Sequence, residues 1–419
     1  MRMSTVIIGL GLLFFTGHFL SWFFEKTKIP DLLILVAIGY TIGPILGLVQ
    51  PSDFGKVGSI VSTLALIVIL YEGGLNLKAK DLLQSCLPAA LISVLGFLVT
   101  GLIAFVIVRY LAFQSMEIAL LTAVGIGSTS SAIVIPMVKY LSIDDRTKTI
   151  LSLESAFTDV LTIVLFLVLV DGMAKGVMSS KDILIGLGPD TLTAAAFGLF
   201  LGHLWAFLKK KFAAILPTTF AGEAWALLSY GVIEACGLNG AIGVLSLGFM
   251  LANLDLLPEW MKDQLSRIPV SYGEMSLLSE ITFILRTFFF LYLGILIQIS
   301  NVNTIIIGIV LCLVIFLVRY LIGRVIFSPK QFTRLDAMVV TSMGPRGLAC
   351  AVLATIPLQR GIAGGEWLRD ALFAVIPFSI FLTAVFVSMS ESKTIRIRCQ
   401  RFFKPYEENG ITAIEESQS

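Results

Sequence analysis

Between residues 4 and 391 the sequence is a succession of long apolar runs parted by short polar connections, and this pattern limits what the chain can fold into. A bilayer core about 30 Å thick is crossed by about 20 apolar helical residues. Scanned at that length, the chain divides into thirteen segments, at about 4–25, 30–49, 57–76, 83–111, 116–138, 149–172, 183–207, 221–236, 239–255, 275–299, 303–327, 334–358 and 367–391. The eighth and ninth are separated only at "GLNG", and merging them would change the topology. With 57% hydrophobic and only 14% charged residues, the chain is predicted to be an all-α polytopic membrane protein of thirteen transmembrane helices.

The distribution of basic residues orients these spans. With the N-terminus outside, most of the 30 lysines and arginines fall on one face, among them Lys26, Lys78, Arg146, Lys209, Lys210 and Lys211, which marks that face as cytoplasmic. The run from Ser4 to Phe24 is too long for a signal-peptide core and lacks a small-residue cleavage site, so it is read as a retained first span. Residues 1–392 are then expected to form the membrane domain and 393–419 a short cytoplasmic tail, with no soluble regulatory domain expected after it.

Other classes are disfavoured by composition. A net charge of +2 offers nothing to a nucleic acid, and two histidines, His18 and His203, are too few for a histidine metal site. Cys86, Cys236, Cys312, Cys350 and Cys399 have no paired spacing and read as small packing residues, with no disulfide framework. No cofactor is expected.

Two spans are interrupted near their centres by residues that favour an unwound backbone: "GIGSTSSA" (125–132) in the fifth and "SMGPRGLA" (342–349) in the twelfth. They are seven spans apart, so they cross in opposite directions, as inverted-topology repeats relating spans 1–6 to spans 8–13 would place them. Gly344 and Pro345 alone make an ordinary kink. Two breaks at matching positions point to a binding site, because freed backbone groups in lipid are costly unless they line a cavity.

Glu154, Asp159, Arg319 and Arg346 fall near the middle of their spans, and Arg286 lies partway along the tenth. Each is either functional or part of a static ion pair that locks helices together. Glu154 and Asp159 are five residues apart, about 140° around a helix, so they face different partners. Ser155 shares a face with Asp159 and offers a hydroxyl beside a carboxylate, a donor set that suits a small hard cation. Glu154 shares its face with Thr158 and is free to pair with a membrane arginine. Thr129 and Ser130, in the fifth-span break, add hydroxyl and carbonyl oxygens, although such hydroxyls often bond their own backbone. Glu72, Glu234 and Glu280 read mainly as interfacial, with Glu72 and Arg286 kept as further site candidates. The "FFFLYLG" run reads as packing, and Lys209–Lys211 as a cytoplasmic anchor.

With "KIPDLLILVAIGYTIGP", "YEGGLNL", "ESAFTD", "FFFLYLG" and "MGPRGLACAVLA" in this order, nearly the whole chain resembles the NhaP-type, sodium/proton exchanger branch of the monovalent cation/proton antiporters. The resemblance implies that Asp159 is the shared carrier of proton and cation. It implies that Glu154 pairs with Arg319 of "FLVRYLIG", and that Ser155 and Thr129 join Asp159 as sodium ligands. Gly344, Pro345 and Arg346 supply the unwound helix and charge compensation. The chain has Thr158-Asp159 where the family usually has Asn-Asp, and Thr129-Ser130 where Thr-Asp is common. The first change removes an amide that helps hold the helix crossing and bears on selectivity. The second removes a neighbouring acid and leaves Asp159 more nearly the sole titrating group.

The implied architecture is a core of spans 4–6 and 11–13, and a scaffold of spans 1–3 and 7–10 that carries a homodimer interface. The ion site lies between them at the midplane. The implied activity is exchange of sodium, or lithium, for protons across the cell membrane, one for one, in pH homeostasis. Potassium/proton exchange is the main alternative. An ion channel needs no titrating carboxylate, a sodium-coupled organic-anion transporter needs a larger polar cavity, and a membrane receptor should carry a sizeable soluble domain.

Overall fold

In the computed structural model, residues 3–27, 30–77, 79, 87–139, 141–174, 180–212, 219–262, 265, 270–297, 302–327, 329, 332–391 and 403 are described. The expected fourth-span start at 83, Cys86, Cys399 and all of the tail except Phe403 therefore lie outside the described residues.

Sixteen α-helices account for nearly all of the described chain: α1 Met3–Thr27, α2 Asp31–Tyr40, α3 Pro51–Asn76, α4 Leu87–Val106, α5 Met116–Gly125, α6 Ser131–Lys139, α7 Asp145–Ala174, α8 Ser180–Lys211, α9 Ala221–Ala235, α10 Gly240–Ala252, α11 Glu259–Lys262, α12 Tyr272–Leu296, α13 Val302–Ile326, α14 Arg334–Ser342, α15 Leu348–Gln359 and α16 Gly365–Glu391. Single π-helical turns extend α2 (Thr41–Ile45) and α4 (Ile107–Leu111). Among the described residues, six stretches are long and apolar enough to cross a membrane: Leu91–Leu111, Asp145–Met173, Pro189–Lys211, Tyr272–Leu296, Val302–Ile326 and Gly365–Glu391. Rows of large apolar side chains stand exposed at helical spacing, such as Leu313, Leu317 and Leu321 on α13 and Leu98 and Leu102 on α4. These are faces that lipid rather than water would cover.

Local chemistry explains where several helices start. Ser271 and Glu274 form a reciprocal capping box at α12, as do Thr333 and Asp336 at α14, and Asn239 accepts the Ile242 amide at the start of α10. The eighth and ninth runs are separate helices, α9 and α10, with Gly237 at φ +76° in the turn between them.

Two groups of helices pack within themselves. In one, α10 lies against α8 and α3, α12 against α2 and α3, and α1 and α9 flank them; in the other, α4–α7 pack with α13–α16. The α2–α12 and α3–α10 crossings are built alike. A Cβ placed on Gly39 would fall on the Leu291 carbonyl oxygen and 3.1 Å from the Gly294 Cα; one on Gly74 would fall on the Leu245 carbonyl oxygen and 2.9 Å from the Gly248 Cα. Only facing glycines let these backbones approach so closely.

One minor reading is corrected and two are extended. Cys236 is exposed at the end of α9 rather than packed, whereas Cys312 and Cys350 are buried. Lys209 is more than a surface anchor, since it pairs with the buried Glu274 carboxylate. Glu234 accepts the Gly240 amide at 2.9 Å and so holds the α9–α10 turn.

Candidate ion-binding site

The site forms where the α5–α6 break meets the α14–α15 break. Residues 126–130 and 343–347 are not helical, and the Ser130 amide donates to the Pro345 carbonyl at 2.9 Å, joining the two stretches. Side chains of α7 take the amides on either side: Thr129 N–H donates to Thr158 Oγ1 at 3.1 Å, and Ser131 N–H donates to Asp159 Oδ2 at 2.9 Å. Three consecutive amides that a helix break would orphan are thus all satisfied.

Glu154 and Asp159 point into different environments. The Arg319 guanidinium grips Glu154 through two hydrogen bonds, Nη1 to Oε1 at 2.6 Å and Nη2 to Oε2 at 2.7 Å. Arg319 Nε donates to the Val340 carbonyl at 2.7 Å, where the last turn of α14 leaves acceptors free. The pair is buried, with Glu154 3% and Arg319 8% exposed, and its fork-to-fork geometry is the strongest form of carboxylate pairing.

Thr129 Oγ1 sits between the charges. It donates to Glu154 Oε1 at 3.4 Å and accepts from Arg319 Nη1 at 3.5 Å and Arg346 Nη1 at 3.4 Å. One donor and two acceptors exhaust a hydroxyl. Arg346 also reaches the Gly344 carbonyl at 3.4 Å, its amide donates to Ser379 Oγ at 2.8 Å, and its Nε has no hydrogen-bond partner among the described residues. A cavity of about 20 Å³ borders Gly127, Thr129, Glu154, Thr158, Arg319 and Arg346, room for about one water.

Asp159 lies on the other side of the break, and no described lysine or arginine comes within ion-pair distance of it. Its Oδ2 receives both the amide and the hydroxyl of Ser131, the latter at 2.6 Å. A carboxylate thus faces the N-terminus of α6, where the helix dipole favours negative charge. Ser155, expected beside Asp159, is fully buried and donates to the Ser152 carbonyl at 3.0 Å. Thr158 donates to the Glu154 carbonyl at 2.9 Å while accepting from Thr129. The structure therefore gathers Glu154, Thr158, Thr129, Arg319 and Arg346 around one centre and sets Asp159 with Ser131 in another, with Ser130 between them.

Ser131 was not singled out from the sequence, although it is the next hydroxyl in the "STSS" run. Asp31 also escaped notice within "KIPDLL". It lies 3.6 Å from Arg286, accepts from Ser21 at 3.2 Å, and helps line a cavity of about 160 Å³ with Arg286, Ala132, Ile133 and Pro136. Arg286 Nη1 also reaches the Ala132 carbonyl at 3.4 Å, one residue beyond Ser131. Glu72 is near enough to Arg286 to feel its charge.

Residues 11–389 match the family described as "Sodium/hydrogen exchanger, transmembrane". The K(+)/H(+) antiporter NhaP of Alkalimonas amylolytica is 24% identical over 387 residues, 90% of this chain and 64% of that protein. The low-affinity Na(+)/H(+) antiporter NhaS1 of Synechocystis sp. is 27% identical over 385 residues, 86% of this chain and 69% of its own. The chain thus spans about two thirds of the length of these relatives. The solved structure of the sodium proton antiporter MjNhaP1 from Methanocaldococcus jannaschii at pH 8 superposes with a TM-score of 0.73 at 22% identity, covering 94% of this chain and 100% of that one, and so shares its fold. The break geometry, the apolar helices and the match over residues 11–389 agree: the chain belongs to the transmembrane sodium/hydrogen exchanger family.

Proposed function

We propose that the protein is a secondary active antiporter in which a sodium or lithium ion and a proton compete for Asp159. One observation carries this reading: of the two carboxylates in the middle of α7, Glu154 is gripped by Arg319 through two hydrogen bonds, whereas Asp159, among the described residues, accepts hydrogen bonds only from the neutral donors of Ser131 and has the Arg346 charge beyond ion-pair distance. A carboxylate already paired with arginine has little to offer an arriving cation. One held by neutral groups can exchange a proton for a cation.

The proposed frame is thirteen spans in inverted repeats, with the two breaks as crossing helices 5 and 12, the N-terminus outside and the C-terminus in the cytoplasm. The like-built α2–α12 and α3–α10 crossings support the repeat, because exchanging span 2 with 9 and span 3 with 10 turns one crossing into the other. Helices α4–α7 and α13–α16 form the moving core, and the remainder form the scaffold, which carries a homodimer interface in the cell membrane. The core moves when Asp159 is neutralised by either ligand. Both loaded forms then carry the same charge, and the exchange is electroneutral, one cation for one proton, with Glu154 and Arg319 locked together throughout.

Potassium is the second reading for the cation, because the Alkalimonas relative is named a K(+)/H(+) antiporter. Purified protein in liposomes with an internal pH dye, challenged in turn with sodium, lithium and potassium, tests both. Sodium and lithium should drive proton flux, and Asp159→Asn should abolish it at every pH. Flux retained in Asp159→Asn contradicts Asp159 as carrier, and flux driven by potassium alone contradicts the choice of sodium.

A further inference from the structure

We infer that Ser131 is a positioning residue that biases Asp159 toward the cation and against the proton, through the two hydrogen bonds it donates to a single carboxylate oxygen. The inference rests on the reading of Asp159 as the carrier.

Both Ser131 donors end on Oδ2, N–H at 2.9 Å and Oγ–H at 2.6 Å, and no hydrogen bond to Oδ1 is found among the described residues; the other groups that face this carboxyl are the buried Ser128 hydroxyl and, at longer range, the Arg346 guanidinium and the Cys350 thiol, none of which hydrogen-bonds it. The backbone fixes the first: Ser131 opens α6, so its amide has no acceptor within the helix and points out along the axis. Adjacent links hold the segment in place, Thr129 N–H to Thr158 and Ser130 N–H to Pro345, so the donors cannot drift from Asp159 without breaking the join between the two helix breaks. A Cβ on Gly347 would collide with Ser130 Oγ, which shows how closely the opposing strand confines this turn.

The two ligands meet these donors differently. A proton bound to either oxygen removes the charge that strengthens both Ser131 bonds, and on Oδ2 it also forces the hydroxyl to swing away. A cation arriving on Oδ1 leaves both bonds intact. It can also take a lone pair of Ser131 Oγ, because a hydroxyl that donates one hydrogen bond still has two lone pairs. Ser131 therefore opposes protonation of Asp159 and tolerates, or assists, cation binding. Thr129 does not take this part, since its hydroxyl is used up within the Glu154–Arg319–Arg346 centre.

The test compares wild type, Ser131→Ala and Ser131→Thr in proteoliposomes across a pH series, with Asp159→Asn as reference. Losing one hydrogen bond to a charged group should move the acid limb of the exchange profile toward alkaline pH by about one unit, a tenfold gain in proton competition. At a fixed acidic pH the half-saturating sodium concentration should rise. Ser131→Thr, which keeps the hydroxyl, should restore the wild-type profile. Sodium-dependent thermal stabilisation of the purified proteins over the same pH series reads binding without turnover and should show the same shift even if Ser131→Ala transports slowly. Superimposable wild-type and Ser131→Ala profiles in both measurements would overturn the inference, as would an alkaline shift that Ser131→Thr fails to reverse. If Asp159→Asn still exchanges, the reading of Asp159 falls first. If Asp159→Asn is dead and Ser131→Ala is unshifted, only the role of Ser131 falls.

Discussion

Thr129 touches Glu154, Arg319 and Arg346 with a single hydroxyl, while the two short bonds from Arg319 set Glu154 apart from Asp159. Separating Glu154 from Asp159 needed only the pitch of a helix, so their division was legible in the sequence. The partner of Asp159 was not. A hydroxyl in a membrane helix often bonds its own backbone, and nothing in "STSS" says which serine turns outward. The Lys209–Glu274 pair was hidden for another reason: its partners are 65 residues apart and meet only after the helices pack. For the arginine pair we predict that Glu154→Gln costs about 3–5 kcal/mol, because it strands a buried guanidinium. Replacing both partners with apolar residues, Glu154→Leu with Arg319→Met, should recover much of that loss. Thermal unfolding in detergent checks this, and an unchanged midpoint in Glu154→Gln would mean that the pair does not brace the core.

Among the elements, the breaks were legible because glycine, proline and serine cluster in the middle of apolar runs, and the structure ends and restarts helices within both. The paired glycine crossings were not. Gly39, Gly74, Gly248 and Gly294 look in sequence like any of the 36 glycines, and only packing shows which ones face another backbone. Neighbouring residues on α3 give a direct comparison, since a Cβ on Gly73 would meet nothing within 4 Å whereas one on Gly74 would strike α10. Gly74→Val should therefore lower stability by about 1–3 kcal/mol through overpacking, whereas Gly73→Ala should be neutral or mildly stabilising through helix propensity. Equal melting shifts for the two variants would show that the α3–α10 contact is looser than drawn.

At the scale of the whole molecule, two polar links join the helix groups close to the site and to the end of α7. Asn239, at the start of α10, donates to Asp171 Oδ2 at 2.7 Å near the end of α7, and Arg286 of α12 reaches the Ala132 carbonyl of α6. If the α4–α7 and α13–α16 group moves as a body, the first of these links must break in each cycle. Asn239→Ala should then change the exchange rate and leave the pH at which the acid limb falls unaltered; a shifted acid limb with an unchanged rate would remove this link from the transport cycle. No single run of residues encodes such a division, because it depends on which helices pack and which only touch.

Competition at one carboxylate makes a quantitative demand on the intact protein. In proteoliposomes, the half-saturating sodium concentration measured across a pH series should rise about tenfold for each unit of acidification on the acid limb, with the saturated rate unchanged, because each proton bound to Asp159 removes one cation site. A half-saturating concentration that stays constant as the pH falls, with only the maximal rate declining, would mean that proton and cation do not share Asp159.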